Sequence, residues 1–435
     1  MAGVSLKSKI AFGMGGIALT LPDMVFTQWI FMRYVPNEKD ALLSASVFGM
    51  IFLVARVCGA IAEPLIGHWS DSCRTRWGRR LPFIRFGLLP LVIFFFLMWH
   101  PPTMAPFWIR AMYAYLVIQI YLLFYPGVLT PYLSLLTELG EESLDRVSLM
   151  TAQGVFVMLG SVVFALVGIV LNRWGWTVMA LLVAFLTFVS LLPIGITAKE
   201  RNIPSKDEKN VSFIQSAIWV LRSRSFLHLV FGTSFYFLAF TCIVMSLPFW
   251  VKVYLGKGEE VVTYLMLPLL AITLVLFVFV EPLVKRFGKY RVFAVTLLMA
   301  SIGLFILSGV GYYPVGSPLI HLLFVVLWMG IPVAGLAVLP FAILTDVIDE
   351  DEQKTNTRRD AIFFAIQGTI QKIFIGVSGG VFSVLAYWGS GSNVTEQGLR
   401  LVAVAGGIAA FIGFLIFLGY PLKNVDVNVK KSPDS

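Results

Sequence analysis

The chain has 435 residues, 58% of them hydrophobic and 13% charged, where soluble proteins run at roughly 45–50% apolar and about 25% charged. A water-soluble globule of this composition would expose large apolar patches, which monomers avoid; disorder, a disulfide scaffold and a nucleic-acid module are excluded, and lipid is the expected solvent. The net charge of +9 then becomes a question of where the basic residues fall.

In chain order, apolar stretches fit to cross a hydrocarbon core of about 30 Å, each needing roughly 20 residues, occur at 8–34, 43–69, 81–99, 108–136, 147–171, 177–197, 226–254, 261–284, 291–311, 319–345, 360–388 and 398–420. These twelve spans are predicted to be helical, because lipid offers backbone groups no partners. The first has Lys7 and Lys9 ahead of Gly15, Gly16 and Pro22 and no small-residue cleavage site, so it reads as a retained helix and not a signal peptide. With both termini in the cytoplasm, 24 Lys and Arg lie on that side and 7 on the other, and Arg56 and Lys372 fall inside spans. This is the positive-inside pattern, so the basic charge reports orientation and not a polyanionic partner. The expectation is a multi-pass protein of the plasma membrane (the inner membrane in a bacterium), monomeric, handling a small-molecule solute.

The longest polar interruption, 198–225, divides the chain into a six-helix half at 1–197, a cytoplasmic linker at 198–225, a second half at 226–420 and a tail at 421–435. Val211–Leu221 alternates apolar and polar residues at helical spacing, as in a short helix on the membrane surface; a plain linker is the alternative. The halves resemble each other. Glu63-Pro64-Leu65 before Gly78-Arg79-Arg80 matches Glu281-Pro282-Leu283 before Gly288-Lys289-Tyr290-Arg291, and Leu136-Thr137-Glu138 matches Leu344-Thr345-Asp346. Two related six-helix halves are the architecture of carriers that rock around a site near the bilayer midplane.

Charges at the span ends suit a gate, since ion pairs that form in one conformation and break in another bias a two-state equilibrium. Asp71, Arg74, Arg79, Arg80, Glu138, Arg146, Glu281, Asp346 and Arg358 are the gating candidates, with the basic loop expected to reach acidic partners across the two halves. A solvated loop that only fixes topology is the bland alternative. Ionisable residues within spans are costly and default to functional candidates. Asp23 follows Pro22, Arg56 and Glu63 lie two turns apart on one face, and Lys372 stands one turn after Gly368 near Gln367 and Gln371. Asp23, Thr27, Gln153, Gln367, Gln371 and Lys372 are the candidate substrate contacts, and Glu63 and Asp23 the candidates for carrying a coupling cation. For any one Gln or Tyr an interhelical contact is the commoner role, and Lys372 has as its structural alternative a pair with Asp23 or Glu63.

The run Gly67-His-Trp-Ser-Asp71-Ser-Cys-Arg-Thr-Arg-Trp-Gly78-Arg79-Arg80 resembles the signature loop of the major facilitator superfamily, and its later part is similar to the corresponding loop of plant sucrose transporters. With FLVARVCGAIAEPLIG (52–67), PYLSLLTELGEESLDR (131–146) and TDVIDEDEQKTNTRRDAIFFAIQGTIQK (345–372), the chain resembles the glycoside–pentoside–hexuronide:cation symporters, which include the melibiose permeases. The resemblance implies an all-α fold of twelve transmembrane helices in two pseudo-symmetric halves, and cation-coupled symport of a sugar or glycoside by alternating access. It also implies that the two cation-binding carboxylates of span 2 fall on Gly59 and Glu63, so one is missing. The family's sugar-reading positions fall on Ala18, Leu129, Leu133 and Gln153, while its span 11 lysine is kept as Lys372.

One carboxylate is a poor sodium cage, because hard cations want several oxygens, but it can carry a proton if burial raises its affinity. A proton is the first reading, sodium the second and uncoupled movement the third, with no other cofactor expected. No catalytic motif, metal-ligand spacing or disulfide framework is present in the sequence, so an enzyme is not expected. The rival reading is a lysophospholipid carrier of the same fold: a related branch keeps the span 11 lysine, and the apolar replacements suit a greasier cavity.

Overall fold

The structure, a computed structural model, describes residues 4–36, 41–73, 75–140, 143–198, 200, 218–314, 316–355, 360–390 and 393–421. The helices are α1 (Leu6–Tyr34), α2 (Ala45–Ser72), α3 (Leu81–Met98), α4 (Phe107–Ser134), a single turn α5 (Leu136–Leu139), α6 (Ser143–Thr197), α7 (Arg224–Phe249), α8 (Glu260–Phe287), α9 (Lys289–Ser308), α10 (Pro318–Thr355), α11 (Asp360–Leu385) and α12 (Glu396–Leu418). A π-helical turn, Trp250–Tyr254, continues α7. Among the described residues eleven helices are long and apolar enough to cross a membrane. Helix α6 is 55 residues long and broken at Gly175, where φ is 76° and ψ −175°. At 1.5 Å per residue an unbroken α6 would run about 80 Å, more than twice a hydrocarbon core, so its two limbs supply the fifth and sixth of the twelve expected spans. Glycine takes that backbone conformation without the clash a Cβ would bring.

The chain forms two compact units, one of α1–α6 together with Leu247–Thr263, the other of the remaining helices. In the first, α1 packs on α6, α2 on α4, and α3 on α4 and α6. The α1–α6 contact is close: a Cβ on Gly16 would lie 2.5 Å from the Gln153 carbonyl oxygen, the small-residue approach that substitutes for hydrophobic drive inside lipid. The second limb of α6 lies along α3, with Trp176 stacked on Trp99 and Gly195 accepting from Arg85.

In the second unit, Phe231 and Phe235 of α7 meet Phe374 of α11, Gly330 of α10 faces Ile272 of α8, and α9 packs on α10 and α12. Counted by span, the pairs 1–5, 2–4, 3–4 and 3–6 recur as 7–11, 8–10, 9–10 and 9–12. The repeat seen in short triplets is therefore a repeat of helix packing. One segment departs from a cut at 198–225: Leu247–Thr263 groups with the first unit, where Thr263 Oγ1 accepts the Ile169 N–H at 3.2 Å. Residues 199 and 201–217, most of the linker and of the expected surface helix, lie outside the described residues, as do 422–435 of the tail.

Candidate functional site

Pro22 inside α1 has no N–H to give the Ala18 carbonyl, which loosens the helix just where Asp23 follows. From α2, Arg56 Nη1 donates to Asp23 Oδ1 at 2.7 Å and Nη2 to Thr27 Oγ1 at 2.5 Å. The Arg56 side chain is 7% exposed, with its guanidinium carbon 4.9 and 5.4 Å from the ring centres of Phe26 and Phe52. An arginine this buried is tolerated because it is paired, hydrogen-bonded and laid on aromatic faces. Tyr121 and Tyr125 of α4 lie within electrostatic reach of both charges, and Tyr125 donates to the Leu19 carbonyl at 2.6 Å. Arg56 Nε, Gln28 Nε2 and the Tyr121 hydroxyl are buried without a hydrogen-bond partner among the described residues, and each such group costs about 1–3 kcal/mol unless something meets it.

The structure thus brings Asp23 and Thr27 together, on Arg56, a residue weighed in the sequence but left out of the expected substrate set. Within the first unit, Asp23 is paired with this arginine. Glu63 stands two turns beyond Arg56 on α2. At Gly59, where a second carboxylate was looked for, a Cβ would sit 3.2 Å from the Leu122 carbonyl oxygen of α4, so the α2–α4 approach leaves a side chain there only a tight fit. Gln153 is placed elsewhere: its Nε2 donates to the Tyr132 hydroxyl at 2.8 Å, which donates to the Phe12 carbonyl at 2.6 Å. That chain ties α1, α4 and α6 together. In the second unit, Gln367, Gln371 and Lys372 follow one another along α11; the Gln367 amide is 2% exposed, with neither polar atom hydrogen-bonded among the described residues.

Within each unit, several of the described gating candidates are held in ion pairs. Arg79 Nη2 and Arg80 Nη1 both reach Glu138 Oε1, at 3.0 and 3.1 Å, and Arg80 also donates to the Ser134 carbonyl at 2.5 Å. Beneath them, the Glu200 carboxylate accepts the backbone N–H groups of Arg79, Arg80 and Leu81 at 2.5–2.7 Å. It caps the N-terminus of α3, where the unpaired donors and the helix dipole favour an anion. Gly78, at φ 108°, leaves room for that carboxylate, since a Cβ there would lie 2.5 Å from the Glu200 carboxyl carbon.

In the second unit Lys289 Nζ holds both oxygens of Asp346, at 2.6 and 2.7 Å. Gly78-Arg79 and Gly288-Lys289 were matched in the sequence, as were Glu138 and Asp346, so the repeat extends to these ion pairs. Arg146 donates to the Gly140 carbonyl at 3.0 Å, and Glu281, 75% exposed, pairs with Lys285 at 2.6 Å one turn on. The Asp71 side chain, Arg74 and Arg358 lie outside the described residues.

Glu200 was missed: an anion is favoured at any helix start, but a partner about 120 residues away leaves no local signal. Also missed was a cavity of about 720 Å³ at the opposite end of the first unit, lined by Arg33, Arg110, Trp176, Lys252 and Glu259. Lys252 and Glu259 approach to 3.8 Å there.

Residues 11–424 match the family described as MFS/sugar transport protein. Similar curated proteins include an isoprimeverose transporter of Lactiplantibacillus pentosus, 25% identical over 92% of this chain and 84% of its own length. A glucuronide carrier protein homolog of Escherichia coli is 24% identical, covering 86% and 84%. A sodium-dependent lysophosphatidylcholine symporter 1-A of Danio rerio is 24% identical, covering 96% and 86%. Among solved structures, a D-xylose-proton symporter aligns with a TM-score of 0.72 at 15% identity, over 97% of this chain and 98% of that one, a likeness of fold. The match runs from the first span to the last, across helices that pair alike in both units: the chain belongs to the MFS/sugar transport protein family, among the glycoside–pentoside–hexuronide:cation symporters.

Proposed function

We propose that this protein is a proton-coupled symporter of a sugar or glycoside-like solute, working by alternating access, multi-pass in the plasma membrane with both termini cytoplasmic. The observation that carries the coupling is the Asp23–Arg56 pair at 2.7 Å. A fixed guanidinium beside the carboxylate repels sodium and leaves it too few free oxygens for a hard cation, whereas a proton needs only one. Protonation of Asp23 removes the charge that holds Arg56. The freed guanidinium, with the Gln28 amide and the Tyr121 hydroxyl nearby, then offers donors to solute hydroxyls. Solute and proton are coupled because each favours the arrangement in which Arg56 has left Asp23, and a ligand shifts an equilibrium only by its differential affinity for the two states. Glu63, on the same helix, is the second candidate for proton carriage.

Uptake of labelled glycosides into proteoliposomes tests this. Accumulation is expected under a pH gradient without sodium, and Asp23→Asn is expected to lose accumulation against a gradient while keeping solute exchange at equilibrium. Accumulation driven by sodium at constant pH, or unchanged accumulation by Asp23→Asn, overturns the proton reading. The second reading, a lysophospholipid carrier, is favoured by the buried apolar Ala18 and Leu129 and by the Danio rerio relative. Labelled lysophospholipid in the same vesicles separates it from the first.

A further inference from the structure

A groove of about 810 Å³ runs between α2, α3 and α4 of the first unit, walled by Ala62, Leu65, Phe83, Phe86, Leu123 and Phe124 with Gly127 along its floor. Among the described residues no charged side chain lines it. Leu65 and Phe86 are more than half exposed, so its walls are open to whatever surrounds the protein, which for these helices is hydrocarbon. Helix–helix grooves of this size are seldom left bare in lipid, because unfilled apolar surface forfeits dispersion contacts.

One end of the groove has a distinct chemistry. Cys73 closes α2 there, and Trp69 meets Phe83 edge-on at 5.0 Å. On the other rim Trp77 lies against Phe86 at 5.5 Å, and the exposed Arg76 guanidinium covers Trp77 at 4.2 Å. Tryptophans at the mouth of an apolar slot mark the depth of the membrane–water interface. Arg76 has no acidic partner among the described residues, whereas its neighbours Arg79 and Arg80 are held by Glu138.

We propose that this groove is a binding site for an anionic phospholipid, with an acyl chain between α2 and α4 against Gly127 and the phosphate on Arg76. Hydrocarbon length, aromatic rim and the outward cation Arg76, in that order, complement an amphiphile with an anionic end. A transmembrane helix of a second copy would fit the walls but bring no anion to Arg76. Because Arg76 shares its loop with Arg79 and Arg80, the lipid steadies that loop from the bilayer side, whichever solute the protein carries.

The test uses the full chain in vesicles of phosphatidylcholine containing phosphatidylglycerol, with lipid retention after extraction read by native mass spectrometry. The wild type is expected to keep phosphatidylglycerol in preference to phosphatidylcholine. Arg76→Ala should weaken that preference about fivefold, the electrostatic worth of one arginine at an anionic surface. Gly127→Leu, where an added Cβ meets no atom within 4 Å, should fill the groove and abolish retention of either lipid while Arg76 stays in place. Equal retention of the two lipids by the wild type, or undiminished retention by Gly127→Leu, overturns the proposal, as does a second copy found in place of lipid. Should Gly127→Leu fail to fold, Arg76→Ala, an exposed substitution, decides alone: an unchanged preference overturns the site.

Discussion

In the first unit two guanidiniums share one oxygen of Glu138, whose side chain is 2% exposed; in the second the Lys289 ammonium grips both oxygens of Asp346, which is 26% exposed. The positions are equivalent in the repeat, yet the physics differs. The first carboxylate is dry, and Glu200 holds from below the backbone from which Arg79 and Arg80 project. The second is wetter, and a flexible lysine stem carries the charge that meets it. A buried pair is expensive to break because the survivor is stranded without water, whereas a pair in contact with solvent is replaced by hydration at little cost. The repeat has therefore kept a cation–carboxylate contact at equivalent positions while its geometry and burial have diverged.

The largest effect is expected from Glu138→Gln, about 3 kcal/mol of stability, toward the low end for a buried pair because Arg79 is 28% exposed. Denaturation of the solubilised protein followed by circular dichroism measures it, and adding Arg79→Ala should cost less than the two single losses combined. Next comes Glu200→Ala, which takes the cap from three backbone donors and should cost about 1–2 kcal/mol. It should also loosen Arg79 and Arg80 on Glu138, so its effect should shrink in a Glu138→Gln background. Asp346→Asn should be the mildest, below about 1 kcal/mol, and the wild-type contribution there should fade in high salt. Equal losses for Glu138→Gln and Asp346→Asn would erase the contrast between the units, and a salt-sensitive Glu138 would show that its pair is wetter than the geometry has it.

Much of the fold was legible because it is written in local sums. Apolar runs, the placement of basic residues and two pairs of matched triplets led to twelve spans in two related sets, and the helix pairing agrees. Even the break in α6 at Gly175 falls between the fifth and sixth predicted stretches. The site was legible in part. Asp23 was singled out as a charge in lipid, Thr27 as a polar group one turn away, and both proved to meet the same residue. Arg56 was noticed for its cost, but nothing within reach in sequence identified its partner, 33 residues earlier on another helix. Gln153 looked like a solute contact by type; its use as a bond to Tyr132 depends on how α4 and α6 cross. The same holds for Gly59, which is small because α4 passes close by.

Composition and periodicity alone determined that the solvent is lipid, that the backbone is helical and that the chain carries two versions of one plan, since each of these is a sum over neighbouring residues or a likeness between two stretches. Tertiary structure decided which charges neutralise one another: Arg56 with Asp23, Arg79 and Arg80 with Glu138, Lys289 with Asp346, and Glu200 with the start of α3. Those choices rest on Coulomb and hydrogen-bond energies that act over a few ångströms, between side chains that only the packing of distant helices brings within range.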